Sequence, residues 1–212
     1  MQDTDEKVPQ GKREARKQER REAILNIAAR SFFEQGYAGT SMSAIAAELG
    51  GSKGTLWNYF RSKEELFEAV LDDRTAAYRA QVDTVLDANA DLRTTLFNYC
   101  RGFITKVTSC DGLALHRLVA AESGRFPEVG RIFNERAPRA TQLRLGRFLE
   151  AHMIEGRLRR DDPLAAARAL TSLCLGSQHM MLWGAAPPDP LAIEVEASFA
   201  TETFLRAFAP ES

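Results

Sequence analysis

Lys63 stands directly after Ser62 and two residues before Glu65, in the stretch "TSMSAIAAELGGSKGTLWNYFRSKEEL" that runs from residue 40 to residue 66. Ser62 and Glu65 have the spacing of a capping box, so a helix starts there and Lys63 lies beside its free N-terminal amides. An ammonium next to free amides is chemistry for holding a phosphate. Just upstream, "KGTLWNYF" places Leu56 and Phe60 four residues apart, facing inward, with Thr55, Asn58 and Tyr59 on another side. Its outward face is polar and aromatic.

Reactive chemistry finds no comparable pattern. Cys100, Cys110 and Cys174 are odd in number and lack CxxC spacing, which argues against a disulfide framework or a zinc finger. Cys174 and His179 suggest a thiol or metal centre, but no third ligand is patterned and a reactive thiol needs a defined neighbour. The expectation is a chain with no catalytic residue, no metal and no cofactor.

The elements around the Lys63 stretch must position it. Thr40 or Ser41 can cap a short helix whose Ile45, Ala46 and Leu49 share one face, and Gly50-Gly51 ends it within about two turns. Ser52 caps the next. Two short helices across a tight glycine turn, with small Ala46 permitting a close crossing, describe a helix-turn-helix whose second helix can enter a major groove. Ahead of it, Ile24, Ala28 and Phe32 form one row and Leu25, Ala29 and Phe33 another, giving an amphipathic helix. Gly36 stops that helix in the left-handed conformation, with Tyr37 folding back toward Phe32.

The rest of the chain also reads as helices, over about 63–88, 91–109, 112–123, 126–136, 139–156, 163–184 and 190–208. Asp162-Pro163 and Asp189-Pro190 each supply an N-cap followed by proline at the first helical position. No segment sustains a period of two, so the fold class is all-α: an N-terminal three-helix DNA-binding unit followed by a larger helical unit. Expected divisions are a disordered basic tail over 1–15, a helix-turn-helix domain over 16–66 and a helical domain over 67–212.

Charge agrees with a polyanionic partner for the first part. Residues 1–63 carry 11 Lys/Arg against 8 Asp/Glu, whereas residues 64–212 carry 17 against 21, within a chain of 212 residues whose formal net charge is −1. The basic run "GKREARKQERRE" reads equally as an arm along the DNA backbone or as a solvated first turn with ion pairs four apart. The first residues lack an apolar signal core, so the protein is expected to stay in the cytoplasm. The apolar run Leu164–Trp183 contains Arg168, Gln178 and His179, which marks it as a buried helix and not a membrane span.

With these residues in view, the stretch resembles the TetR family of bacterial transcriptional regulators. The shared positions are Thr40, Ile45, Ala46, Gly50, Ser52, Gly54, Tyr59, Phe60, Lys63 and Leu66; Leu49, Gly51 and Trp57 depart from the usual residues. The segment "RLVAAESGRFPEVGRIFNERAPRATQLRLGRFLEAHMIEGRLRRDDPLAAARAL" resembles the C-terminal domain of the AefR-like branch. The resemblance implies a homodimer that binds an operator on double-stranded DNA and encloses a small-molecule effector. It further implies that Thr40, Ser41, Tyr59 and Lys63 hold phosphates and that Lys53, Thr55, Trp57 and Asn58 lie nearest the bases, with Ser52 and Gly54 also in the DNA-binding segment.

Apolar candidates for an effector pocket are Phe97, Cys100, Phe103, Ile104, Val107, Phe133, Phe148 and Met180. Polar candidates among them are His116, His152, Gln178 and His179. Each also reads as plain core, because aromatics at helical spacing are what cores are made of. For the dimer interface the last two helices offer Leu173, Met181, Ile193, Ala197, Ala200 and Phe204. The function this implies is a repressor released from a palindromic operator by a small, largely apolar effector. The alternatives are a thiol-responsive regulator using Cys100, Cys110 or Cys174, a helical enzyme, and an architectural DNA binder without an effector.

Overall fold

A computed structural model describes residues 10–50, 53–86 and 90–210 of the chain. Every regular element among these residues is a helix. The chain divides into two compact units, Met1–Asp73 and Arg74–Ser212.

In the first unit, α1 (Gln10–Gly39) is interrupted at Gly36, whose φ of 76° and ψ of 171° are not helical. A side chain at such a φ would be strained, so glycine is required where the chain reverses. Tyr37 then folds back and its ring stacks on Phe32 with centroids 5.7 Å apart, while both meet Phe67 edge-on. α1 begins at Gln10, so helix replaces part of the tail expected over 1–15; residues 1–9 lie outside the described ones. α2 (Met42–Glu48) is capped by Ser41, whose hydroxyl accepts from the Ala44 amide at 3.1 Å. α3 (Lys53–Trp57) is five residues long, and Leu56 carbonyl bonds carry the turn on to Phe60. Ile24, Leu25, Ala28, Phe32, Ile45 and Leu56 bury the facing sides of these helices.

α4 (Lys63–Val85) opens with half of the expected capping box: Ser62 Oγ accepts from the Glu65 amide at 3.1 Å, while the Glu65 carboxylate accepts from the Arg61 amide at 2.7 Å, one residue before the cap. The helix continues from the first unit into the second.

The second unit adds α5 (Leu92–Thr108), α6 (Cys110–Glu122), α7 (Pro127–Arg136), α8 (Pro138–Ile154), α9 (Pro163–Leu173), α10 (Gly176–Leu182) and α11 (Pro190–Ala207). Asp91, Ser109, Asp162 and Asp189 cap α5, α6, α9 and α11 through side-chain oxygens. The single helix expected over 163–184 is two helices, α9 and α10, separated at Cys174 and Leu175. α5 packs most extensively on α11, and α8 on α9. Small Ala166, Ala167, Ala197 and Ala200 let these helices approach around Leu96, Tyr99, Ile104, Leu145, Leu149 and Phe204, all buried. Among the described residues no helix is long and apolar enough to cross a membrane, and no group of His, Cys, Asp and Glu is arranged for a metal.

Candidate functional site

Leu56 and Phe60 are buried in the first unit's core, and that inward pair turns the other side of α3 to solvent. Trp57 is 47% exposed, Asn58 and Gly54 are exposed, and Thr55 and Tyr59 are half-buried. About half of the large Trp57 side chain is therefore left in water. Ser41 is exposed at the start of α2, where its hydroxyl already caps the helix. Ser52 and the side chain of Lys53 lie outside the described residues.

Two of the residues expected to hold phosphate also bond within the protein itself. Thr40 is only 2% exposed; its hydroxyl donates to the Gly36 carbonyl at 2.8 Å and sits 3.1 Å from the Ser31 hydroxyl. The Lys63 ammonium donates to the carbonyls of Tyr37 at 2.8 Å and Thr40 at 3.2 Å, with the Tyr37 ring 4.3 Å away. The carbonyls left open where α1 breaks at Gly36 carry negative partial charge, so a cation settles on them. Lys63 thus links the start of α4 to the backbone between α1 and α2, and Thr40 links that backbone to Ser31 on α1. The short sequence spacing concealed this, because the acceptors lie 26 and 23 residues before Lys63.

In the second unit, a cavity of about 170 Å³ is walled by α4, α5, α6, α7, α8, α9 and α10. Five sequence candidates meet there: Phe103, Val107, His116, Phe133 and Gln178. The rest do not. Cys100, Ile104, Phe148 and His152 are buried in the core of α5 and α8, where the helices' inward faces carry them past the cavity. Phe97 lies on a shallow surface pocket with Arg93 and Glu202. His179 is exposed and Met180 is 54% exposed, because α10 turns Gln178 and Met181 inward. Thr75, Tyr78, Leu115, Thr141, Gln142 and Leu175 complete much of the wall and were not singled out from sequence. Nothing in a single helix's periodicity distinguishes a wall from a core.

Gln178 is the best-defined polar group of the cavity. Its Nε2 donates to the Val107 carbonyl at 3.2 Å and lies 3.2 Å from His116 Nδ1, while the His116 ring meets Phe133 edge-on at 5.5 Å. Burial, and then the charge of His179, hold the His116 pKa below its usual value. A neutral imidazole accepting at Nδ1 carries its proton on Nε2.

The interface residues chosen from sequence all lie inside the subunit or at the margin of its core. Ala197, Ala200 and Phe204 are fully buried within their own subunit against α5, Met181 is buried beneath α10, and Ile193 and Leu173 pack at the core's margin. The unpartnered apolar face of α11 is the opposite one, Leu191, Val195 and Phe199, with Trp183 and Met180 of the preceding segment also exposed. Both faces have helical spacing. Cys100 and Cys174 are buried in the core, whereas Cys110 is exposed.

Comparison with known proteins follows this division. Residues 24–70 match the family described as bacterial regulatory proteins, tetR family, and residues 94–210 match the AefR-like transcriptional repressor, C-terminal domain. Over 69 residues the chain is 30% identical to an uncharacterized regulator, YhgD, of Bacillus subtilis, an alignment covering 32% of this chain and 36% of that one. Against the transcriptional repressor Rv1474c of Mycobacterium tuberculosis it is 29% identical over 176 residues, 82% of this chain and 87% of the relative. The solved structure of the flavonoid-responsive regulator FrrA superposes with a TM-score of 0.78 at 34% identity, covering 92% of this chain and 99% of that one. These relatives do not favour the thiol-responsive alternative. With one family description accounting for the helix-turn-helix and a second for most of the remaining helices, the chain belongs to the TetR family and is a DNA-binding transcriptional regulator with an AefR-like C-terminal domain.

Proposed function

We propose that the protein is a repressor that binds a two-fold operator as a homodimer and leaves it when a small organic effector enters the second unit. The observation that carries this reading is the pairing of buried Leu56 and Phe60 with exposed Trp57 and Asn58 on one short helix. A helix so divided presents a ready surface to a major groove. Lys53, Thr55, Trp57 and Asn58 then read base edges, with Gly54 admitting close approach, while Ser41, Ser52 and Tyr59 meet phosphates. Thr40 and Lys63 hold the helices in register.

The dimer forms through the exposed apolar side chains of α11, Leu191, Val195 and Phe199, together with exposed Trp183 and Met180. The effector occupies the cavity at Gln178 and His116. FrrA's responsiveness to flavonoids supports a small organic effector for this chain too. Thr75 and Tyr78 on the cavity wall belong to α4, the helix whose first residue anchors the α1 to α2 turn. A ligand that displaces Tyr78 therefore changes the separation of the two recognition helices, and operator spacing tolerates little change.

Fluorescence anisotropy with the DNA upstream of the protein's own gene tests the reading. The expected result is saturable, salt-sensitive binding of two subunits or a multiple, with clear preference over scrambled DNA. Equal binding to both sequences across a salt series, together with genomic selection that enriches no site, would overturn it.

A further inference from the structure

The cavity's size and one unsatisfied atom together specify a class of ligand. Gln178 is 1% exposed, and its carboxamide orientation is fixed by chemistry: only the amide nitrogen can donate to the Val107 carbonyl. The same nitrogen faces His116 Nδ1, so both of its protons are accounted for. Gln178 lines the cavity, and its Oε1 is buried with no hydrogen-bond partner among the described residues. Tyr78, on the same wall, has a buried hydroxyl in the same condition. Buried acceptors are rarely left this way, and a bound donor is the usual resolution.

Volume narrows the choice. At about 170 Å³ the cavity falls short of typical drug-sized pockets, which begin near 300 Å³. It is close to the roughly 150 Å³ apolar cavity that accommodates benzene. A three-ring flavonoid exceeds it unless the walls part. Phe103, Leu115, Phe133 and Leu175 supply an apolar lining, and among the described residues Lys106 is the one charged side chain on the wall.

We infer that the cavity takes a neutral single-ring phenol, its hydroxyl donating to Gln178 Oε1 and its ring held against Phe103 and Phe133. This rests on the effector reading given above. Specificity then follows from the carboxamide: an aromatic of the same shape lacking the hydroxyl leaves Oε1 unpaired and loses affinity.

The test uses the full-length protein and two ligands of matched shape, 4-methylphenol and 1,4-dimethylbenzene, titrated by calorimetry. The wild-type chain should prefer the phenol by about tenfold or more. Gln178→Met, which keeps length and apolarity but removes the acceptor, should abolish that preference while still binding the dimethylbenzene. Because the wild-type comparison needs no variant, it decides the matter even if Gln178→Met folds poorly. Equal affinity of the wild type for both ligands would overturn the role of Gln178. Tight binding of a three-ring flavonoid with neither single ring bound would overturn the size class. If the phenol binds with the expected preference but does not release DNA, the ligand class stands and the effector reading falls. Release by some other ligand when neither ring binds would remove the ligand class and keep the effector reading.

Discussion

Lys63 donates to the Tyr37 carbonyl at 2.8 Å while its ammonium sits 4.3 Å from the centroid of the same residue's ring. A cation at the broken end of α1 thus joins α1 to α4 and, through the Thr40 carbonyl at 3.2 Å, to the residue before the α2 cap. Loss of these charge-assisted bonds in Lys63→Met should cost about 1–3 kcal/mol of stability. Chemical denaturation followed by the first unit's fluorescence would show it. A residue that served only as a phosphate contact would leave stability unchanged and alter DNA affinity alone, so an unchanged midpoint defeats the assignment.

Trp57 and Asn58 should behave in the opposite way. Both are exposed, so Trp57→Ala and Asn58→Ala should alter stability by no more than about 0.5 kcal/mol. Operator affinity should fall by about 1–3 kcal/mol for a side chain that meets base edges. The two effects are also distinguishable on DNA: a base-reading residue relaxes preference at one position, whereas a phosphate-binding one weakens all sequences alike and reduces the salt slope. Anisotropy against a set of singly altered operators measures both.

Much of the first unit was legible because its signals are local. Ser41 and Ser62 act within three residues, and each caps its helix as its spacing predicted; Gly36 interrupts α1 at positive φ, but with ψ of 171° in place of the expected left-handed conformation. The internal bonds of Lys63 were not legible, since its acceptors lie 26 and 23 residues away in sequence. In α11, Ile193, Ala197, Ala200 and Phe204 form one apolar stripe and Leu191, Val195 and Phe199 another. Periodicity finds both, and only the position of α5 decides which is covered. The cavity wall draws on seven helices, so five of its residues could be guessed as inward-facing aromatic and polar groups while Tyr78 and Thr141 could not.

The exposed stripe supports a prediction about assembly. Phe199→Glu combined with Val195→Glu places charge on side chains already 63% and 62% exposed, so the subunit should keep its fold and its helical circular dichroism. If this face joins the dimer, charges at its centre should leave a monomer at micromolar concentration and abolish tight operator binding. Sedimentation equilibrium reads the mass directly. Ala197→Glu is the contrasting change: Ala197 is fully buried against α5, and a carboxylate there should unfold the second unit instead.

Acidification should weaken the second unit through His152 as well as His116. His152 is fully buried beside the Phe148 ring at 4.5 Å, and burial, then the nearby Arg157 charge, lower its pKa despite Glu155, whose carboxylate lies 3.5 Å from Nδ1. His116 is lowered for the same leading reason. In the unfolded chain both titrate near the ordinary value of 6.5, so below that pH the unfolded state binds more protons than the folded one. Stability is therefore fully present above about pH 6.5 and falls as the pH drops toward the lowered folded values. His152→Leu, similar in bulk and free of a titrating ring, should lose part of that pH dependence, with a change at pH 7 of less than about 1.5 kcal/mol. Urea denaturation at pH 5 and pH 7.5 of both proteins makes the comparison. An equal loss of stability on acidification in the variant and the parent would assign the acid sensitivity to His116 or to carboxylates, and not to His152.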